Sequence, residues 1–151
     1  MIITYVDSSA TMRLVSQEGD VSLVERAMAS NPISSLLMNL ELHVAIFKRW
    51  HDGALDTAVR DRLISITEGR IIPAFTLLPL DAAVVDEARA VATEYSVRTL
   101  DALHVGTAVI ASRSARRYGS TFDFCTADRR QAEAATKIFG SLHVSFVLPW
   151  R

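Results

Sequence analysis

The first nine residues constrain the fold more than any other stretch. Ile2 to Val6 is a short β-branched and aromatic run that reads as a buried strand. It meets an acid at once, Asp7, followed by Ser8 and Ser9, which are good helix-starting residues, and then by Ala10 to Val15 as a helix. A strand that feeds a helix through almost no loop is the start of an alternating α/β pattern. The remainder of the chain continues it.

A second helix is expected over Val21 to Ala29, after the punctuation at Gly19-Asp20, and Asn31-Pro32 breaks it. Ile33 belongs to a very short strand, and Ser34 and Ser35 cap an apolar helix from Leu36 to Trp50. Another helix follows from Ala54 to Thr67, ended by Gly69, and Ile71 to Leu78 reads as a strand. Asp81 begins an alanine- and valine-rich helix reaching Tyr95. Thr99 caps the next, which carries Leu100-Asp101-Ala102-Leu103-His104 and runs to about Ser114, with Gly119 as its stop. Thr121 to Thr126 is a strand, Asp128 to Ile138 a helix, and Leu142 to Leu148 a last strand before Pro149. Strands separated by helices imply a mainly parallel sheet covered on both faces. At 151 residues and 50% hydrophobic, the chain closes one good-sized core, so a single domain over 1–151 is expected.

Composition removes several classes of function. Sixteen basic and 17 acidic residues leave a net charge of −1, so nucleic-acid binding would need locally clustered base rather than bulk attraction. The single Cys125 excludes an internal disulfide and any multi-cysteine metal site, and its strand position reads as a buried small residue. No apolar run spans a bilayer and the N-terminus lacks a basic leader, so a cytoplasmic protein without a membrane role is expected.

The acids carry the chemistry. In an α/β sheet, loops leaving the carboxyl ends of parallel strands share one edge, and ligands bind there. Asp7 and Asp128 each follow a strand, Asp101 stands near the start of its helix, and Glu41 lies about 10 Å along its helix from Ser34 at the usual rise per residue. Carboxylates gathered in this way repel one another unless a cation relieves them. All-oxygen ligands without cysteine suit Mg²⁺ or Mn²⁺ rather than zinc, and such an ion activates water for in-line phosphodiester hydrolysis. Each acid also has an ordinary reading: Asp7 and Asp128 as helix caps, Asp101 as a first-turn acid facing the helix dipole, and Glu41 on a solvated stripe. Their joint placement favours the site.

On four segments the chain resembles the PIN-domain ribonucleases, and within them the VapC-type toxins of toxin–antitoxin pairs. These are the first strand with Asp7-Ser8-Ser9-Ala10, Leu40-Glu41-Leu42, Leu100-Asp101-Ala102-Leu103-His104, and Cys125-Thr126-Ala127-Asp128-Arg129-Arg130. The resemblance covers nearly the whole chain and rests on the order and spacing of these pieces. It implies a three-layer α/β/α fold and a Mg²⁺- or Mn²⁺-dependent endoribonuclease. Asp7, Glu41, Asp101 and Asp128 would be the metal-holding acids, and Thr126 the accompanying hydroxyl. Asp123 is a rival for the fourth acid, ranked second because it sits inside the strand. The resemblance also implies an RNA substrate, an antitoxin partner able to send a basic side chain to the acids, and a homodimer or toxin–antitoxin hetero-oligomer.

His104, one turn beyond Asp101, reads as structural, and Phe47 and Trp50 read as core. Arg129 and Arg130 are expected to bind phosphate, while Arg113, Arg116 and Arg117 favour the helix C-terminus. A receiver-type signalling module needs an acidic pair after the first strand and a lysine after a late one. A lone Asp7 and a helical Lys137 argue against it. A PIN-like domain that binds RNA or a partner without cutting is the alternative.

Overall fold

The computed structural model describes residues 1–148, so Pro149, the expected stop of the last strand, lies outside the described residues. Within those residues five strands form one sheet: β1 (Ile2–Val6), β2 (Pro32–Ser35), β3 (Thr76–Leu78), β4 (Thr121–Thr126) and β5 (Val144–Phe146). Their order is β3-β2-β1-β4-β5, and every neighbouring pair is parallel. Among the described residues, seven α-helices lie between and beside them: α1 (Ser8–Ser16), α2 (Val21–Met28), α3 (Leu37–His51), α4 (Thr57–Ile66), α5 (Ala82–Glu94), α6 (Thr99–Arg117) and α7 (Arg129–Phe139).

Strand periodicity sorts the two faces. Successive side chains point to opposite sides of a sheet, so Tyr5 and Phe124 bury on one face and Val6 and Cys125 on the other. Tyr5 and Phe124 are register partners, with rings stacked at 5.3 Å. Around them pack Val91, Val105, Ala108 and Phe139, from α5, α6 and α7. Behind Val6 and Cys125 pack Ala10, Val24, Met38 and Leu42, from α1, α2 and α3. This is the three-layer α/β/α arrangement expected from the sequence. Cys125 is buried, and burial, with Asp7 beside it, pushes its thiol pKa up to about 12.

The chain moves outward from β1 to β2 and β3, then returns across β1 to β4 and continues to β5. The order therefore reverses between β1 and β4. The crevice outside the carboxyl ends of such a pair is where an open α/β sheet binds ligands.

Several boundaries differ from expectation. Ile71 to Leu78 is not one strand: the chain leaves α4 through a wide turn at Thr67–Ile71 and a tight one at Ile72–Ala74. Only Thr76–Leu78 pairs with β2. A continuous apolar run carries no period that separates helix from strand, and Pro73 cannot donate to a ladder. Gly69 accordingly lies inside a turn rather than ending a helix. Ser34 and Ser35 end β2 rather than standing at the cap of α3, which is Leu36, although Ser35 Oγ still accepts the Leu37 N–H at 3.2 Å. The last strand shortens to Val144–Phe146 behind a tight turn at Ser141–His143. Phe47 and Trp50 are not core. They are half-buried, with the Arg60 guanidinium over both rings, because α4 covers their helix only partly.

Candidate active site

At the β1–β4 reversal, a cavity of about 390 Å³ is lined by Glu41, Asp101 and Asp128. Ser8, Ser9, His104, Arg98 and Gln131 share its wall, and Arg13, Arg49 and Glu18 stand at one side. Glu18 is ion-paired to both of those arginines, with Arg49 at 2.9 Å.

Asp7 lies against this wall, fully buried. Its Oδ1 accepts the Ala10 N–H at 2.9 Å, so it does cap α1. Its Oδ2 accepts the Thr126 hydroxyl at 2.7 Å, and Ser9 Oγ lies within 2.9 Å of both oxygens. Thr126 Oγ1 in turn accepts the Asp128 N–H at 3.0 Å, and Ser9 Oγ accepts the Ala127 N–H at 2.9 Å. The ends of β1 and β4 are thus tied together by two hydroxyls. Burial raises the Asp7 carboxyl above its ordinary range, against the opposing donors from Ala10, Thr126 and Ser9.

Asp101, 5% exposed, is answered by protein groups on both oxygens. Oδ2 accepts the Arg98 Nε at 3.0 Å and, more weakly, the Arg98 backbone N–H at 3.4 Å; Oδ1 accepts Gln131 Nε2 at 3.0 Å. The residue at the cap of α6 is therefore Arg98 and not the expected Thr99, because Asp101 reaches back from the third helical position to the Arg98 N–H. Asp128 caps α7 through Oδ1, which accepts the Arg130 and Gln131 N–H groups at 2.8 and 3.1 Å. Its Oδ2 accepts an Arg98 guanidinium N–H at 3.0 Å. One guanidinium bridges Asp101 and Asp128.

Glu41 comes from α3 and meets Ser8 Oγ and His104 Nε2. His104 is almost completely buried, with Nδ1 2.7 Å from the Tyr5 hydroxyl. That hydroxyl also accepts the Ser35 backbone N–H at 3.2 Å, so it is free to donate to Nδ1. The neutral ring then carries its proton on Nε2, which donates to Glu41. A buried line of groups, Ser35–Tyr5–His104–Glu41, holds the acid in place.

Glu41, Asp101 and Asp128 therefore share one cavity, with Asp7 and Thr126 directly behind. Asp123 lies away from it, half-buried in β4 and bonded to His143 at 2.9 Å. Arg129 and Arg130 are exposed and do not line the cavity; Arg98, Arg13 and Arg49 supply the base instead. Arg113 pairs with Glu87. Arg98 was legible at the helical i, i+3 spacing from Asp101, and Gln131 at three residues after Asp128, the spacing of a capping box. No sequence signal linked His104 to Glu41, 63 residues away.

The donors decide what the site can hold. Among the described residues, no three His, Cys, Asp or Glu side chains stand close enough to grip one ion. Their chemistry nevertheless fits a hard dication: carboxylate and hydroxyl oxygens, no thiolate, and the Arg98 guanidinium standing in as a cation between two acids. Gln131 adds a buried acceptor, Oε1, that has no hydrogen-bond partner. No helix among the described residues is long and apolar enough to cross a membrane.

Comparison with known proteins places these features in context. A family model described as PIN domain matches residues 4–137. A solved structure titled "Toxin-antitoxin complex from Klebsiella pneumoniae" superposes with a TM-score of 0.56 at 15% identity, covering 94% of this chain and 95% of that one. A search of curated proteins finds no match.

Proposed function

Because the chain belongs to the PIN domain family, we propose that it is a Mg²⁺- or Mn²⁺-dependent endoribonuclease, built as one domain and acting as the toxin of a toxin–antitoxin pair. The observation that carries this reading is the convergence of Glu41, Asp101 and Asp128 on one cavity at the β1–β4 reversal, with Asp7 behind it. Asp7, Asp101 and Asp128 each serve a helix start, but capping does not require acids from four separate segments to meet, and gathering them costs stability unless a cation answers them.

Asp7, Glu41, Asp101 and Asp128 would hold the ion. A hard dication so held supplies charge neutralisation at a phosphoryl oxygen and acidifies water at neutral pH. The chain's own groups do the positioning. Thr126 and Ser9 fix the Asp7 carboxylate, His104 fixes Glu41, and Gln131 holds one oxygen of Asp101. Arg13 and Arg49, two guanidiniums that share the single acid Glu18, leave local positive charge beside the cavity for an RNA backbone, which a net charge of −1 does not supply in bulk.

A protein partner is supported by the outer face of α3. Leu36, Leu40 and Val44 recur at helical spacing and are 51%, 61% and 53% exposed, next to Glu41. The structural neighbour is a toxin–antitoxin complex, and an antitoxin segment on this face would lie within reach of the acids.

The test is cleavage. Purified protein free of any partner is incubated with structured RNAs and Mg²⁺ or Mn²⁺, beside Asp7→Asn and Asp101→Asn. Cleavage in the parent alone, abolished by chelator, is expected. Cleavage that survives both substitutions, or needs no metal, overturns the assignment.

A further inference from the structure

Arg98 is the residue at the site whose position the proposed chemistry does not require. It stands where two acids need a positive charge, with Nε 3.0 Å from Asp101 and a terminal nitrogen 3.0 Å from Asp128. The two carboxylates it joins lie in separate elements, α6 and the start of α7, so the guanidinium is a clamp across the cavity rather than a local helix contact. Its fork geometry allows two acids to be satisfied at once, which a lysine ammonium would not reproduce.

Its surroundings give it freedom to leave. The Arg98 side chain is 64% exposed, whereas that of Asp101 is 7% exposed and that of Asp128 is 21% exposed. The acids are held from behind by partners that stay: Gln131 on Asp101, and the α7 backbone on Asp128. Removing the guanidinium would leave both carboxylates in place, each with one oxygen released toward the cavity.

We propose that Arg98 is a built-in counter-cation that competes with the metal ion for Asp101 and Asp128, so that the ion enters only by displacing it. The inference rests on the metal-dependent reading above. It makes occupancy of the site depend on free metal concentration: at low metal the chain holds its own acids neutralised, and at high metal the guanidinium swings out to the mouth. The half-saturating metal concentration is then a property set by Arg98.

Calorimetric titration of the whole chain with Mn²⁺ tests this without reference to activity, using the parent, Arg98→Gln and Arg98→Lys. Two ion-pair contacts made by a largely exposed guanidinium are weak individually, so the expected gain for Arg98→Gln is about five- to thirtyfold tighter Mn²⁺ binding. Arg98→Lys, which keeps the charge but loses the fork, should fall between it and the parent. Equal or weaker Mn²⁺ binding by Arg98→Gln overturns the competition while leaving the metal site standing. Absence of Mn²⁺ binding in all three proteins overturns both readings.

Discussion

Replacing Tyr5 by Phe isolates a single hydroxyl inside the network that holds Glu41. Phe keeps the ring, its stacking on Phe124 and almost all of its buried area. What disappears is one acceptor, for the Ser35 N–H at 3.2 Å, and one donor, to His104 Nδ1 at 2.7 Å. Both partners sit in a buried environment that water does not reach. An orphaned buried polar group costs about 1–3 kcal/mol, and the desolvation of the hydroxyl itself is recovered, so a net loss of about 2–4 kcal/mol is expected. At about 2–4 °C per kcal/mol for a chain of this size, the midpoint should fall by roughly 4–16 °C. The ring also loses the donor that dictates its tautomer, so Glu41 loses a fixed partner, and metal affinity or activity should drop about 10- to 100-fold. Urea denaturation in chelator, followed by Mn²⁺ titration of the folded variant, measures both effects. A variant whose stability lies within about 0.5 kcal/mol of the parent, the size of an ordinary surface substitution, would refute the network.

Two further substitutions probe the packing and the charge. In Asp7→Asn the buried charge is removed while an acceptor for the Ala10 N–H remains. The folded-state pKa of Asp7 is raised, so the folded chain binds this proton more tightly than the unfolded chain, and stability falls as pH rises from the ordinary carboxyl range through the raised value. The variant should therefore have a higher Tm than the parent at pH 7 in chelator, and the difference should vanish on acidification to the ordinary carboxyl range; a lower Tm at pH 7 contradicts this. Gly106→Ala would place a Cβ 2.8 Å from the Ala88 backbone nitrogen and 3.0 Å from its Cα, where α6 and α5 touch. The overpacking cost of about 1–3 kcal/mol outweighs the helix-propensity gain of about 1 kcal/mol, so the denaturation midpoint should fall rather than rise.

Residues whose environment is local were legible in the sequence. β1 and β4 have the expected limits because each is a short β-branched and aromatic run between clear stops, and α6 was evident from its unbroken helical spacing. Asp7 shows why single residues could not be decided alone. Its capping role and its place behind the cavity are both present, since a cap at the start of a helix that follows a strand is also a position on the ligand edge. Asp128 combines the two in the same way. Features that depend on distant partners were not legible. Arg129 and Arg130 directly follow Asp128 in sequence, yet the first turn of α7 leaves them exposed and off the cavity wall, a placement set by tertiary packing. Arg98, read only as part of the segment leading to Asp101, gains its meaning from Asp128, 30 residues on. The stretch between α4 and β3 mimics a strand in sequence because Ile71 and Ile72 pack, partly buried, from turns rather than from a strand.

On the proposed reading, these acids hold a hard dication in place of a protein cation. Anomalous scattering from crystals grown with Mn²⁺ addresses it at atomic level. The account predicts a manganese peak among the carboxylates of Asp7, Glu41, Asp101 and Asp128, with the Arg98 guanidinium withdrawn from Asp101 and Asp128. Saturating Mn²⁺ that leaves no peak there, with Arg98 still bridging the two acids, would contradict it.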